Sequence, residues 1–189
     1  MKYFLITDTH FNHKPQMFDF CGRPEDYEEK LYRSMRQIPH DAVLIHLGDI
    51  CIGDDERVHE EFIKTLDCKK WLVRGNHDSK SDTWYLNHGW DAVVSAMIMK
   101  IAGLEVVLSH KPQSDLGYRI NIHGHYHNSD HRSTEPELQE IYTSQHKLLA
   151  VEYTNYKAVL ADKWLRSQLS PDHFFGNKHK KKKWMRNKK

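Results

Sequence analysis

Residues 3–10 read YFLITDTH: four apolar, β-prone residues run straight into Thr7-Asp8-Thr9-His10. A short apolar run closed by polar residues reads as a buried strand. This one delivers a carboxylate and an imidazole at its carboxyl end. The same figure recurs along the chain. Val43–Leu47 ends at Gly48-Asp49, Trp71–Val73 at Arg74-Gly75-Asn76-His77-Asp78, Leu104–Leu108 at Ser109-His110, and Tyr118–Ile122 at His123-Gly124-His125-Tyr126-His127. Helical patterns separate the first strands. Pro24, with Glu25, Asp26 and Glu28 behind it, opens a helix whose Tyr27, Leu31, Met35 and Ile38 share one face. Asp54-Asp55-Glu56 opens a second, with Val58, Phe62 and Leu66 on one face, and residues 79–88 read as a third. This order predicts an α/β sandwich with helices outside, and α/β sheets gather ligands at the carboxyl ends of their strands.

The remaining stretches complete the expectation. Residues 11–23 read as loop, and Ala92–Ile101 with Leu104–Leu108 as a hairpin about Gly103. Residues 128–146 lack a period and read as a loop or short helix. Leu148–Tyr153 and Tyr156–Leu160 read as late strands and Asp162–Leu169 as a short helix. One domain over residues 1–170 is expected, followed from Pro171 by a basic tail.

Charge divides the chain. Formal net charge is +2, but residues 178–189, KHKKKKWMRNKK, hold eight basic residues and no acid. The first 177 residues therefore carry 20 basic groups against 26 acidic ones, a formal −6. No apolar run approaches the roughly 18–20 residues that span a bilayer, and the N-terminus lacks the apolar stretch of a signal peptide. Three cysteines, Cys21, Cys51 and Cys68, are odd in number and lack CxxC spacing, which argues against a disulfide framework or a thiolate zinc site. A reducing, cytoplasmic setting is expected. Phosphate-binding glycine loops of the GxxxxGK[ST] and GxGxxG types are absent.

Five polar clusters at five strand ends each offer carboxylate, imidazole or amide groups able to bind a divalent cation. Singly they are weak signals, since an isolated histidine after a strand is more often a satisfied polar residue. Together they are hard to explain by chance. On a strand, His125 and His127 would project from one face, as would Asp8 and His10 if their strand runs that far. Oxygen and imidazole donors without thiolate suit Mn, Fe, Zn, Ni or Co. One carboxylate shared by two cations lowers their repulsion, and such a pair acidifies a water and grips phosphoryl oxygens.

In this order, DTH, GD, GNHD, SH and GHYH resemble the calcineurin-like metallophosphoesterase superfamily. DTHFNH at 8–13, HLGD at 46–49 and VEYTNYKAV at 151–159 resemble its small phage and bacterial members. The resemblance implies two mixed β-sheets flanked by helices and two divalent metals, manganese first, with Fe, Zn, Ni, Co or Mg as alternatives. By position it implies Asp8, His10 and His127 on one metal, Asn76, His110 and His125 on the other, and Asp49 between them. His77 would face the phosphate as general acid or transition-state stabiliser, and Asp78 would orient it by accepting its other N–H. Asn76 would also meet substrate, and Arg74 would support the site or reach a phosphate. One departure stands out. The family often reads GDxxD, and the third residue after Asp49 is Ile52; Asp54 and Asp55 fit better as acids at a helix start.

Plainer readings cover the other candidates. His13 is either a substrate contact or an exposed loop residue. His46 reads as a buried supporting or core residue, His123 alternates off the His125 and His127 face, and Cys51 reads as packing. The tail is either a solvated charge run or a phosphate-backbone contact with Trp184 stacking on bases. The expected activity is hydrolysis of a phosphodiester, in a nucleotide or nucleic acid, by hydroxide activated at the metals. The short chain leaves little sequence for a specificity cap. A phosphomonoesterase acting on a nucleotide or phosphoprotein is the alternative, and a non-catalytic metal-binding interaction module stands behind both.

Overall fold

The computed structural model describes residues 1–128 and 142–169. Within them two mixed sheets pack face to face. The first is built on β1 (Tyr3–Ile6), β2 (Val43–His46), β3 (Lys69–Val73) and β4 (Ala92–Val94), all parallel, with the short β9 (Val159–Leu160) antiparallel beside β1, in the order β4-β3-β2-β1-β9. The second has the order β5-β6-β7-β8. Here β5 (Ala96–Ile101) is antiparallel to β6 (Leu104–Ser109), while β7 (Ile120–His123) and β8 (His146–Leu148) continue parallel.

Period-two alternation sorts the first sheet's side chains between two cores. Leu5, Val43, Ile45 and Val73 meet Ile101, Val106, Leu108, Ile120 and Ile122 of the second sheet. Their neighbours Ile6, Leu44 and Leu72 point the other way, into a core with Tyr27, Leu31, Met35 and Ile38. Those four are the apolar face predicted for the helix α2 (Tyr27–Arg36) and the residues after it. The helices α3 (Asp55–Val58), which runs on into a π-helical turn at His59–Ile63, and α4 (Asp82–Asn87) pack there too, through Val58, Ile63 and Tyr85. The last helix, α5 (Ala161–Ser167), contributes Ala161 and Leu165 to the core between the sheets.

Four expectations need correction. Residues 11–23 are not all loop, because α1 occupies Lys14–Cys21 and is capped by Gly22 in the left-handed region at φ 61. It buries only Met17 and Cys21, too narrow a stripe to show as a period. Ala92–Ile101 is not one strand. The chain breaks at Ser95, so that β4 edges the first sheet and β5 the second, while the turn at Ala102-Gly103 is as predicted. The late strands are shorter than expected. Leu149–Val151 are buried, but residues 150–156 form a tight turn in which Tyr156 N–H donates to Val151 O at 2.8 Å and Asn155 has φ 53. The final helix starts and ends earlier than Asp162–Leu169. Residues 129–141, most of the stretch read as a loop or short helix, and the tail from 171 onward lie outside the described residues. Among those described, no helix is long and apolar enough to cross a membrane.

His59 lies wholly buried between Trp84, Tyr85 and Trp90, its Nδ1–H donating to Asp55 O at 2.7 Å. Burial holds its pKa down at about 4. The unfolded chain, with a pKa near 6.5, therefore takes up a proton first as pH falls. Stability present above pH 6.5 is lost between about 6.5 and 4, on the order of 2–3 kcal/mol from this group. His59→Phe should flatten this limb, read as the difference in urea-unfolding free energy between pH 7 and pH 4.5; an unchanged difference would refute the assignment.

Candidate metal centre

Loops, not strands, aim the site residues. β1 ends at Ile6, and Asp8 and His10 follow in left-handed backbone at φ 48 and 45. Asp49 has φ 59, His125 φ 74 and His127 φ 52. The expected strand alternation therefore does not place Asp8 with His10 or His125 with His127. Non-glycine residues pay roughly 1–2 kcal/mol for this conformation, and it is held here by neighbouring loops. Asp8 N–H donates to Gly48 O at 2.9 Å, His10 N–H to Asp49 O at 3.1 Å, and Phe11 N–H to Ile50 O at 2.9 Å. His46, buried as expected, ties the same loops. Its Nδ1 accepts from Gly48 N–H at 3.1 Å, so its Nε2–H donates to Thr9 Oγ1 at 3.0 Å, and the Thr9 hydroxyl donates to Ile50 O at 2.8 Å. A methyl group on Gly124 would collide with Thr7 Oγ1 and the Asp8 carboxylate, so only glycine fits where the second sheet's loop crosses the first.

The side chains converge in two groups that meet at Asp49. Asp8, His10 and His127 form one, with His10 Nε2 3.9 Å and His127 Nε2 3.7 Å from Asp8 Oδ1. Asp49, His110 and His125 form the other. In it His110 Nε2 lies 2.9 Å from Asn76 Oδ1, 3.1 Å from His125 Nδ1 and 3.3 Å from Asp49 Oδ2. Asp49 Oδ2 also faces His10 Nε2 of the first group at 3.7 Å. Its Oδ1 accepts the His77 backbone N–H at 2.8 Å.

The donor set fits a divalent cation. Asp8 Oδ1 and both ring nitrogens of His10 are buried without a hydrogen-bond partner, a condition few buried polar atoms tolerate. His110 donates its Nδ1–H to Leu47 O at 2.8 Å, so Nε2 is the ring nitrogen turned toward the oxygens of Asn76 and Asp49. Acceptors crowded this closely need positive charge among them. The titration of the groups reports the same field. Burial opposes charging His110, yet Asp49 and Asp8 outweigh it and hold its pKa at about 9. Burial likewise opposes charging His127, but Asp8, Cys21 and Glu152 raise it to about 10. His10 stays well below the usual value, because burial and the neighbouring His127 dominate.

Around this centre, His77 is exposed and lies edge-on to His10 with ring centroids 5.5 Å apart. His13 is half-buried, 6.4 Å from the His77 ring, with its Nδ1 lacking a partner. Two residues sit differently from expectation. The Asp78 carboxylate does not reach the His77 ring; it accepts the backbone N–H groups of Asp49 at 2.9 Å, Ile50 at 3.0 Å and Gly75 at 2.7 Å. Arg74 is committed to Asp82 at 3.0 Å and to the carbonyls of Asp78 at 2.6 Å and Lys80 at 2.8 Å, so it braces the loop and does not extend toward a phosphate. Sequence reasoning missed Arg23 and Glu152, a buried pair 2.7 Å apart beneath His127. Their only signal is that each is a charged residue in a stretch the fold buries.

An α/β sandwich whose two sheets send carboxylates, amide and imidazoles into one centre at their strand ends is a metal-binding phosphoesterase architecture. Residues 1–188 match the calcineurin-like phosphoesterase superfamily domain, and the chain belongs to that superfamily of phosphoester hydrolases. It is 27% identical over 172 residues to the uncharacterized protein MJ1445 of Methanocaldococcus jannaschii, a match spanning 85% of this chain and 88% of that one. The protein of unknown function AQ665 from Aquifex aeolicus is similar in fold, with a TM-score of 0.66 at 21% identity over 89% of this chain and 99% of that chain. The nuclease MPE of Pseudomonas putida aligns less fully, with a TM-score of 0.47 at 24% identity, over 66% of this chain and 61% of that chain.

A cation that binds only the folded state stabilises it, by about 2.7 kcal/mol at a hundred times its Kd. Adding Mn²⁺ to chelator-treated protein should raise the melting temperature by roughly 5–10 °C. EDTA should reverse the shift and Asp49→Asn should abolish most of it. A melting temperature indifferent to every divalent cation would remove the metal centre.

Proposed function

We propose that this chain is a phosphodiesterase with two divalent cations, acting on a nucleotide or nucleic-acid phosphodiester. Asp8, His10 and His127 would hold one cation, Asn76, His110 and His125 the other, with Asp49 shared. The observation that carries this reading is the position of Asp49 Oδ2, which faces both groups, at 3.3 Å from His110 Nε2 and 3.7 Å from His10 Nε2. Bound cations supply Lewis-acid polarisation of phosphoryl oxygens and acidify a water. Manganese is the first to test, and the cytoplasm is the compartment proposed.

The chain's own residues supply the rest. Asp49 Oδ1 fixes the His77 backbone, so one carboxylate both faces the two groups and places the exposed imidazole. His77, when protonated, donates its N–H to the departing alkoxide oxygen. His13, on the same side as His77, offers its unpartnered Nδ1 to a phosphoryl oxygen or leaving group. Asp78 holds the loops of Asp49 and Gly75 at a constant separation, so that His77 and the ligand groups keep their spacing.

His77→Ala should lower kcat for bis-p-nitrophenyl phosphate by about 10²–10⁴-fold while leaving the cation-induced rise in melting temperature intact, with a larger loss for a diester of poorer leaving group. Faster turnover of p-nitrophenyl phosphate than of the diester would favour the monoesterase alternative. Retained cation binding with no turnover of either ester would favour the interaction module.

A second observation supports a polyanionic substrate. A groove of about 460 Å³ beside α5 is lined by exposed Tyr153, Lys157 and Lys163, by half-buried Trp164 and by no acid. Lys157 also lines an adjoining groove with Lys30 and Arg33. Cations interleaved with aromatic rings suit a single strand, whose bases stack while its phosphates pair. The basic segment 178–189 adds eight more cations to the same chain end. Removing 178–189 should weaken binding of a labelled single-stranded oligonucleotide and flatten its salt dependence, with hydrolysis of the small diester as internal control. Unchanged affinity would leave the tail without this role.

A further inference from the structure

His127 presents its two ring nitrogens to different neighbours. Nε2 faces Asp8 Oδ1 at 3.7 Å, on the side of His10. Nδ1 faces the other way, 3.4 Å from Glu152 Oε1 and 3.3 Å from Arg23 Nη2. Cys21 lies on that second side and, with His127 and Glu152, is close enough to form another ion-binding cluster. Arg23 argues against a cation there. Its guanidinium is buried, with Nε 2.8 Å and Nη2 2.7 Å from Glu152 Oε1, so an ion between the three would sit against a fixed positive charge. The Nδ1 side is thus suited to orienting the ring, with the cation left to the other side.

A neutral imidazole carries one N–H, and its position decides what the ring can do. With the proton on Nε2, the ring donates toward Asp8 and has no lone pair for a cation. With the proton on Nδ1, the Nε2 lone pair is free. That second tautomer requires an acceptor at Nδ1. Two groups meet Nδ1 with opposite demands: Arg23 Nη2, which donates its other hydrogen to Asp8 O at 2.8 Å, can only donate to it at 3.3 Å, and Glu152 Oε1 can only accept from it at 3.4 Å. Glu152 has capacity to spare, since its Oε2 is buried without a partner. Arg23 is held in turn: Nη1 donates to Thr9 O at 3.0 Å, and the guanidinium stacks over Tyr27, whose hydroxyl donates to His10 O at 2.7 Å.

We propose that Glu152, anchored by Arg23, is a positioning residue that keeps the His127 proton on Nδ1 and so turns the Nε2 lone pair toward Asp8 and His10. This rests on the reading of Asp8, His10 and His127 as cation ligands. Partners of this kind are worth about 10–100-fold in cation affinity. Through Arg23, the same carboxylate also ties the residue 150–156 turn to the loop carrying Asp8 and Thr9.

The test uses the full chain with Co²⁺ as probe, followed by its visible absorption band and by titration calorimetry. Glu152→Leu should weaken one of the cations by about 10–100-fold, and Glu152→Gln, which keeps an acceptor oxygen without the charge, by several-fold, with a shifted band in both. The metal-free melting temperature of Glu152→Gln should fall, because Arg23 loses its buried counter-charge, so affinities are compared well below both melting temperatures. If Glu152→Leu fails to fold, Glu152→Gln decides. Wild-type affinity and an unchanged band in Glu152→Gln overturn the proposal, and so does a loss of affinity that falls equally on both cations. Wild-type protein that takes up no Co²⁺ overturns this proposal together with the metal centre. Turnover does not enter, so a failed phosphodiesterase reading leaves the result standing.

Discussion

Three backbone N–H groups from two loops end on one buried carboxylate, Asp78. Taking a carboxylate out of water costs several kcal/mol, and backbone donors repay that cost only when the geometry is good. The cost shows in the pKa of Asp78, which burial pushes up against the opposing pull of those hydrogen bonds. The clamp joins the loop after β2 to the loop after β3. From it the rest of the centre follows by short steps. Asp49 is placed by its own N–H and then fixes His77, while Ile50 is placed by its N–H and then accepts from Thr9 and Phe11 of the loop after β1. A residue expected to steer one imidazole instead holds the frame on which that imidazole and the ligand groups stand.

Charge makes the same frame incomplete alone. Asp8 and Asp49 are almost wholly buried, and their negative potential raises the pKa of His110 and His127 despite burial. The formal −6 of the first 177 residues therefore includes groups concentrated at one internal point, where they attract cations. Phosphate approaching that point with cations in place meets much less repulsion than the net charge implies.

Much of the centre was legible because its carboxylate and imidazole groups follow apolar runs directly in sequence. Val43–His46 is fully buried and leads at once to Asp49, and Leu104–Ser109 leads to His110. What was not legible has three physical causes. Left-handed backbone at Asp8, His10, Asp49, His125 and His127 carries no glycine signature, so the aiming of those rings could not be read from strand alternation. Ser95 divides one apolar run between two sheets, a choice made by packing partners distant in sequence. Glu152 lies 129 residues from Arg23, and only the folded turn at 150–156 brings the pair beneath His127. The helix α1 escaped for a simpler reason: Met17 and Cys21 alone make too thin a face.

The division of labour between the sheets gives the centre a mechanical meaning. Asp8, His10, Asp49 and Asn76 follow strands of the first sheet, and His110, His125 and His127 follow strands of the second. The two layers are otherwise held together by side-chain packing, by hydrogen bonds such as His110 Nδ1–H to Leu47 O, and by two chain crossings, one at Ser95 between β4 and β5 and one between β8 and β9. Coordination distances tolerate only a few tenths of an ångström, so the centre acts as a caliper set across the sandwich. A substitution at Val106 or Leu5, far smaller than one that unfolds the domain, would open or skew that caliper first. Packing quality deep between the layers is in this way translated into chemistry at the rim.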